Sequence, residues 1–345
     1  MKNFAYQRPT TLLDAARLLA DHPDWQVLAG GTTMVDLLKL DVIAPAGVVD
    51  ITAIAELQGH QVSADRIRFG ALARMADVAD DPALRAACPA LSESLWKAAS
   101  PQLRHAARLG GNVLQRTRCP YFRDTSYACN KRQPGSGCAA LDGGRTHLHA
   151  ILGGSSQCVA MYPGDWAQAL IAFDAVVTAS SVKGTRRIAF ADLHRLPGDR
   201  PELETNLQPG ELITQIEVPI GPTMQASHYL KARDRQSYAF ASVSAAVGIQ
   251  MSGDQVADVR IALGGVAAKP WRASAAEASL RRKPFNEAAA LEAGRIAFQD
   301  AKPLADSAYK IALGADVVAG ALMTAHQRAL DPASAAAPAF GFPKR

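Results

Sequence analysis

The chain has 345 residues, of which 48% are hydrophobic and 20% are charged. This composition is typical of a folded protein with a sizeable core, and the length favours two domains. The formal net charge is +5, but the basic residues are scattered, which argues against a nucleic-acid-binding face. No run of eighteen apolar residues occurs, so no membrane span is expected, and the N-terminus lacks the apolar segment of a secretion signal.

Residues 1–57 are predicted to form a compact α/β unit. Thr11 and Asp14 have the spacing of a capping box, which marks the start of a helix. Apolar residues at helical spacing follow, and the helix is expected to end at His22. The strand Gln26–Leu28 comes next and leads into a glycine-rich turn.

This turn occupies 29–36 and precedes a predicted helix to residue 40, for which Thr33 and Asp36 would form another capping box. Its two glycines permit positive φ and the close approach of a ligand, and a helix N-terminus favours phosphate. The turn is neither a Walker A loop nor Gly-x-Gly-x-x-Gly, so alone it fits a purely structural role equally well. A second buried strand is predicted at 47–51.

The middle of the chain contains a second glycine pair, Gly110 and Gly111, followed by Asn112. It is as weak a signal as the first, but two such turns in one chain indicate loops that converge on a pyrophosphate. The elements predicted around it are strands at 66–71, 175–181, 185–189 and 212–218 and helices at 82–87, 91–99 and 167–173. A polar loop at 196–210 precedes the last strand.

A boundary at 219–222 is predicted to open a C-terminal α+β domain. Its strands are expected at 227–233, 241–250 and 259–266, and its helices at 273–280, 286–300 and 308–325. The tail 329–345 is rich in Ala and Pro, so it is predicted to be disordered or to dock on a partner.

Five cysteines stand at positions 88, 119, 129, 138 and 158, an odd number that argues against a disulfide framework. Cys88 lies in a helix-like run and is interpreted as a small buried hydrophobe. The others lie in or next to an aperiodic segment, 115–160, and a loop of that length is usually functional or disordered. A metal centre would order it.

The spacing of these four cysteines favours an iron–sulfur cluster. Nine, eight and nineteen residues separate Cys119, Cys129, Cys138 and Cys158, whereas structural zinc sites pair cysteines two to four residues apart. Cysteines on long loops suit a [4Fe–4S] cluster, because its ligands are spread around a group larger than a single metal ion. The alternative is that the four cysteines are free thiols. His147 and His149 lie in the same loop and would be either further ligands or solvated or hydrogen-bonded histidines.

Two charged residues outside these loops have simple structural interpretations. Asp165 precedes a predicted helix and is expected to cap it, and Lys231 is expected to be a solvated lysine on a strand. No Ser-His-Asp, His-Glu-x-x-His or paired-carboxylate arrangement occurs. If the chain takes part in catalysis, a cofactor carries the chemistry.

Four motifs recur in an order that resembles a known family. They are Ala29-Gly30-Gly31-Thr32-Thr33, Leu109-Gly110-Gly111-Asn112, Pro163-Gly164-Asp165, and Lys231 followed by Tyr238-Ala239-Phe240-Ala241-Ser242-Val243-Ser244-Ala245-Ala246. This order resembles the FAD-binding medium subunit of the xanthine dehydrogenase/aldehyde oxidase family of molybdenum hydroxylases. The cysteine insertion after Gly-Gly-Asn is similar to that of the periplasmic-type aldehyde oxidoreductases, whose flavin subunit holds a [4Fe–4S] cluster.

The resemblance implies an α+β / α/β fold with a two-lobed FAD-binding domain of the vanillyl-alcohol-oxidase type at 1–221, divided at 57/58. A smaller α+β domain, a strand meander plus helices, would follow at 222–328. Asp165 would lie near the ribityl or adenosine part of FAD and Lys231 near the flavin ring. The pyrophosphate would be held by Leu28, Ala29, Gly30, Gly31, Thr32, Thr33, Met34 and Val35 and supported by Gly110, Gly111 and Asn112. The cluster would be ligated by Cys119, Cys129, Cys138 and Cys158.

The implied activity is that of an oxidoreductase subunit in a heterotrimer. A large molybdopterin-binding subunit would oxidise an aldehyde or N-heterocycle, and a small subunit with two [2Fe–2S] clusters would relay electrons to FAD and an external acceptor. The [4Fe–4S] cluster would have a structural role or would be a redox centre beside the main electron-transfer path. The compartment is expected to be the cytoplasm, or the periplasm by co-export with a signal-bearing partner.

Three other functions remain open from the sequence. They are a 4-hydroxybenzoyl-CoA reductase-like or other molybdenum hydroxylase flavin subunit, a zinc-binding non-catalytic scaffold whose basic surface binds nucleic acid, and a self-sufficient flavin oxidase. One position departs from the resemblance, because Gly164 stands where the family often has serine. That puts a local cofactor contact in doubt.

Overall fold

Three β-sheets follow one another along the chain, and helices pack on them. The computed structural model describes residues 1–331. Most of the predicted tail, 332–345, lies outside the described residues. Residues 329–330 belong to the last helix, so the prediction of a tail is wrong there. Among residues 1–331, no helix has the length and apolar character needed to cross a membrane.

The first sheet has three parallel strands in the order β1-β3-β2. Its elements are β1 (Ala5–Gln7), α1 (Leu12–Asp21), β2 (Gln26–Leu28), α2 (Met34–Lys39) and β3 (Gly47–Asp50), followed by a 3₁₀ helix (Ala55–Leu57). Thr11 accepts a hydrogen bond from the Asp14 backbone N–H, so the first predicted capping box is confirmed. The strands predicted before and after the glycine turn are confirmed as β2 and β3.

The second sheet has five antiparallel strands in the order β4-β5-β8-β6-β7. They are β4 (His60–Val62), β5 (Arg66–Gly70), β6 (Val176–Ser181), β7 (Gly184–Ala189) and β8 (Leu212–Pro219). The helices of this part are α3 (Met75–Ala79), α4 (Pro82–Ala87), α5 (Pro89–Trp96), α6 (Pro101–Ala106), α7 (Leu109–Val113), α8 (Pro120–Arg123), α9 (Trp166–Ala172) and α10 (Phe190–Leu193). Four strands match the predictions, whereas β4 was not predicted.

Prolines begin several of these short helices. Pro82, Pro89 and Pro101 each stand at the first helical turn, where a missing backbone N–H removes no helical bond. For this reason α5 begins at the proline and not two residues later, as predicted. The core between these helices and the five-stranded sheet contains Phe69 against Trp166, with ring centroids 5.2 Å apart in an edge-on contact.

The third sheet is an antiparallel meander in the order β12-β11-β10-β9. Its elements are β9 (Ser227–Ala232), β10 (Val243–Ser252), β11 (Gln255–Gly264), β12 (Trp271–Arg272), α11 (Ser274–Leu280), α12 (Glu287–Ile296) and α13 (Tyr309–Leu330). The predicted meander and the three helices are confirmed. α13 packs on β9 and β10, and α5 also packs on β9. The edge strand β9 is therefore covered by helices. The predicted boundary at 219–222 begins at the last residue of β8 and ends before β9.

Candidate functional site

The two glycine-rich segments lie against each other. A Cβ on Gly30 would overlap the carbonyl oxygen of Ala106, at the end of α6, and the nearest atom to a Cβ on Gly111 is the Ala29 Cβ, 4.0 Å away. The structure therefore brings 29–31 and 110–112 to one place, although 78 residues lie between these segments in the chain.

At three of these four positions, the protein structure itself explains why the residue is glycine. Gly31 has φ of +72°, Gly30 meets the α6 backbone, and a Cβ on Gly110 would lie 2.9 Å from the Ala71 Cβ. Gly111 is exposed, and its Cβ direction is open. Protein packing does not require glycine there, and the open space leaves room for the close approach of a ligand.

Polar groups around this contact are left without protein partners. Within residues 1–331, the backbone N–H groups of Thr32 and Thr33 donate to no protein acceptor. Asn112 donates from Nδ2 to the Met75 Sδ at 3.4 Å, but its buried Oδ1 has no partner. An unpaired polar atom is costly only when it is buried, as the Asn112 Oδ1 is, whereas Thr32 and Thr33 are half-exposed and their N–H groups are open to solvent or ligand. All three groups are free to bind a polar ligand such as a pyrophosphate.

Asp165 and Lys231 form a buried ion pair next to α9. The Lys231 Nζ donates to the Asp165 Oδ2 at 2.9 Å and to the Lys97 carbonyl at 3.1 Å, and the Tyr229 hydroxyl donates to the Asp165 Oδ1 at 2.5 Å. The side chains of Lys231 and Asp165 are 1% and 5% exposed. Burial and the Asp165 charge raise the pKa of Tyr229 well above its usual value.

Both simple interpretations of this pair are wrong. Asp165 occupies the N-cap position of α9, but its side chain makes no capping hydrogen bond because it faces Lys231. Lys231 is on an edge strand, as expected, yet it is not solvated, because α5 and α13 cover β9. A buried lysine–carboxylate pair was not signalled by the local pattern around either residue.

Gly164 is explained by its neighbour. A Cβ at this position would lie 2.5 Å from Cε1 of the Tyr162 ring. That ring is buried, and its hydroxyl donates to the Val113 carbonyl at 3.0 Å. Tyr162 thus fills the space that a serine side chain at position 164 would need.

We expect Gly164→Ser to destabilise the protein by about 1–3 kcal/mol, since overpacking a filled core forces shifts of side chains or backbone. Gly221→Ser is the matched control, because a Cβ there has no neighbour within 4 Å and φ is not positive. Urea unfolding of both variants checks the expectation. Equal stability of the two would contradict it.

The four predicted cluster cysteines line one cavity. Cys129 and Cys138 face each other across an isolated antiparallel bridge, Cys119 precedes α8, and Cys158 comes from the far end of the loop. All are free thiols in the structure. His149 also lines the cavity, with Nε2 3.2 Å from the Cys119 Sγ, whereas His147 is exposed.

Burial shifts the pKa values of several side chains that line this cavity. It raises the pKa of Cys119 to about 12 and of Cys158 to about 11, and it lowers the pKa of His149 to about 4, with the Lys310 charge as a further cause. The thiols of Cys119 and Cys158 therefore stay protonated near neutral pH unless a metal displaces their protons. A single tetrahedral zinc ion needs sulfurs about 3.8 Å apart. Within residues 1–331, no three His, Cys, Asp or Glu side chains are arranged to hold one metal ion.

Cys88 lies elsewhere, in the main core. It is fully buried, and burial raises its pKa to about 12. Its interpretation as a small buried hydrophobe is confirmed.

Asp36 joins the glycine turn to the cysteine loop. It accepts from the Arg118 Nη1 at 2.9 Å and from the Arg123 Nη1 and Nη2 at 2.7 and 2.9 Å. The hydrogen bond from Arg123, with the charges of both arginines, lowers the pKa of Asp36 although burial opposes this. The predicted capping box is wrong, because Thr33 makes no side-chain cap and Asp36 points to the arginines.

Two family matches cover nearly the whole chain. Residues 2–221 match the family described as FAD binding domain in molybdopterin dehydrogenase, and residues 228–328 match the CO dehydrogenase flavoprotein C-terminal domain.

Individual proteins of similar sequence or structure support the same family assignment. The aldehyde oxidoreductase FAD-binding subunit PaoB of Escherichia coli K12 is 42% identical over 95% of this chain and 100% of that protein. The glyceraldehyde dehydrogenase medium chain of Sulfolobus acidocaldarius is 28% identical over 82% and 83%. Among solved structures, carbon monoxide dehydrogenase from Hydrogenophaga pseudoflava is similar with a TM-score of 0.75 at 25% identity, covering 95% of this chain and 98% of that one.

These matches confirm the predicted two-domain FAD-binding fold and the predicted oxidoreductase class, and they do not support a flavin-free scaffold. The unpaired polar groups beside the two glycine turns are compatible with bound FAD. The chain belongs to the family of FAD-binding subunits of the molybdenum hydroxylases.

Proposed function

We propose that this chain is the FAD- and [4Fe–4S]-binding electron-transfer subunit of a heterotrimeric, molybdenum-dependent aldehyde oxidoreductase. The observation that carries the proposal is the convergence of four cysteines on one cavity, joined through Asp36 to the glycine turn of an FAD-binding fold. The full-length similarity to an aldehyde oxidoreductase FAD-binding subunit favours an aldehyde substrate.

The partners follow from that role. A large molybdopterin-binding subunit would oxidise the aldehyde, and a small subunit with two [2Fe–2S] clusters would bring the electrons to this chain. An external acceptor would then receive them. The complex would lie in the cytoplasm, or in the periplasm if a partner carries the export signal.

FAD would be held where the two glycine turns meet. The N–H groups of Thr32 and Thr33 would donate to the pyrophosphate, the backbone at Gly111 would approach it closely, and Asn112 Oδ1 would accept a cofactor hydrogen bond. The Asp165–Lys231 pair would bind near the ribityl chain and flavin ring. The other cofactor-binding residues would be Leu28, Ala29, Gly30, Gly31, Met34, Val35 and Gly110. Bound FAD exchanges electrons one or two at a time.

The cluster would be held by the thiolates of Cys119, Cys129, Cys138 and Cys158. Four soft thiolate donors on a loop without helical or strand periodicity are the ligand set that iron–sulfur clusters use. Ligands drawn from both ends of the loop would close it, so the cluster would at least order this segment. The cluster would also take part in electron transfer if its reduction potential lies near those of the neighbouring redox centres.

A flavin subunit acting on another substrate is the second candidate. Relatives named for glyceraldehyde, xanthine and nicotine are 26–28% identical to this chain, well below the 42% of the aldehyde oxidoreductase subunit. Co-purification from the native host, with mass spectrometry of the partners and a test of aldehydes against N-heterocycles, separates the candidates. Turnover of an aldehyde by the isolated chain would contradict the proposed division of labour.

Cys129→Ser is expected to abolish the broad iron–sulfur absorption and to lower the iron content of the purified chain to near zero, because one of four ligands is lost. With FAD in excess, the flavin absorption should remain. Cys88→Ala is the control, since Cys88 lies in the main core and not in the cavity. Unchanged iron in the Cys129 variant, or zinc in place of iron in the unmodified chain, would refute the ligand assignment.

A further inference from the structure

A histidine shares the cysteine cavity. His149 is 2% exposed, and its ring stacks on Tyr121 with centroids 5.9 Å apart. The His149 Nε2 lies 3.2 Å from the Cys119 Sγ, and Nδ1 is buried with no hydrogen-bond partner. At Nε2 the polar contact of this imidazole is thus a cysteine sulfur, and the Thr146 backbone is a further polar neighbour of the ring.

A buried lysine fixes the backbone of this histidine. Lys310 is 0% exposed, and its ammonium donates to the carbonyls of His149 at 3.0 Å and Gly265 at 2.7 Å. Within the described chain it forms no salt bridge. A buried cation without a counter-ion is costly, and the carbonyl that it holds belongs to the residue touching Cys119. An anion in the cysteine cavity would offset that cost.

We propose that His149 donates its Nε2–H to the Cys119 thiolate of the cluster, as a positioning residue held by Lys310, and thereby raises the reduction potential of the cluster. The inference rests on the proposed function, because it requires the [4Fe–4S] cluster. A thiolate can only accept. The other tautomer would place a nitrogen lone pair against the thiolate, where no hydrogen bond can form.

A direct ligand role for His149 is less suitable. Four cysteines already supply the four ligands that a [4Fe–4S] cube takes. A hydrogen bond to a ligating sulfur stabilises the more negative, reduced state of the cluster, and such bonds are among the factors that set its potential.

The test compares three variants of the full chain, purified with whatever partners remain bound, by redox titration followed by EPR. His149→Leu removes the donor, His149→Gln keeps an N–H on a side chain of similar reach, and His147→Leu changes an exposed neighbour in the same loop. At a fixed potential we expect the ratio of reduced to oxidised cluster to fall about tenfold in His149→Leu, equivalent to 59 mV for one electron. His149→Gln should recover most of it, and His147→Leu should match the unmodified chain.

A second measurement needs no loss of the histidine. In the unmodified chain labelled with ¹⁵N-histidine, pulsed EPR of the reduced cluster should detect a weak nitrogen coupling. A strong coupling would make a histidine a ligand, and no coupling would remove the hydrogen bond, so either overturns the inference. An iron-free unmodified chain overturns the proposed cluster as well, whereas an iron-containing His149→Leu variant with unchanged potential overturns only the inference about His149.

Discussion

Lys231→Met is expected to lower the free energy of unfolding by about 3–5 kcal/mol, because it leaves a buried carboxylate without its cation. The two charged side chains are 1% and 5% exposed, and their charged atoms are 2.9 Å apart. Asp165 would keep only the Tyr229 hydroxyl as a side-chain donor. Denaturant unfolding of the FAD-free chain measures the loss directly.

A double variant separates the structural part of this effect from cofactor binding. Asp165→Asn with Lys231→Met removes both charges, so we expect it to be more stable than Lys231→Met alone, with a coupling energy of about 0.5–3 kcal/mol. FAD binding should be weakened in both single variants and in the double variant if the pair contacts the cofactor. Wild-type FAD affinity in the double variant would assign the pair a purely structural role, and an unchanged unfolding midpoint for Lys231→Met would refute the buried-charge argument.

Elements with a local signal were predictable from the sequence. The Thr11 capping box determines the start of α1 through a bond three residues away, and the meander of β9, β10 and β11 follows from apolar segments separated by turns. Likewise, the cysteine spacing predicted that the aperiodic loop would gather around one centre, and the structure places all four thiols on one cavity. The strand β4 was missed because it has three residues, of which only Val62 is apolar.

Side chains whose partners are distant in sequence were not predictable. A carboxylate at the third position of a helix is usually a capping residue, and Asp36 fits that pattern. Its partners stand 82 and 87 residues away, and two guanidinium groups bind a carboxylate more strongly than one backbone N–H does. The partner of Lys231 is 66 residues away and that of Lys310 is 161 residues away. Such contacts are set by the packing of the three sheets, which local periodicity does not encode.

Asp36→Asn is expected to weaken FAD binding about tenfold, which corresponds to 1.4 kcal/mol. The neutral amide cannot hold both Arg118 and Arg123, so α2 and the glycine turn before it lose their fixed position against the cysteine loop. The Asp36 side chain is 36% exposed, and solvent screening limits the effect to this size. Equilibrium dialysis of FAD against the purified chain is the measurement, and Asp24→Asn, at an exposed carboxylate of the same α/β unit, is the control.

The same variant tests whether the cysteine loop and the flavin loop are energetically coupled. If Asp36 carries the coupling, removal of iron with a chelator should weaken FAD binding in the unmodified chain but change it little in Asp36→Asn, because the link is already broken. Linkage requires the reciprocal effect on affinity, so FAD should raise the chelator concentration that removes half of the iron from the unmodified chain, but not from Asp36→Asn. A chelator effect of equal size in both proteins would show that the two sites communicate by another route or through the loss of loop structure alone. Wild-type FAD affinity in Asp36→Asn would show that the arginine contacts do not position the glycine turn.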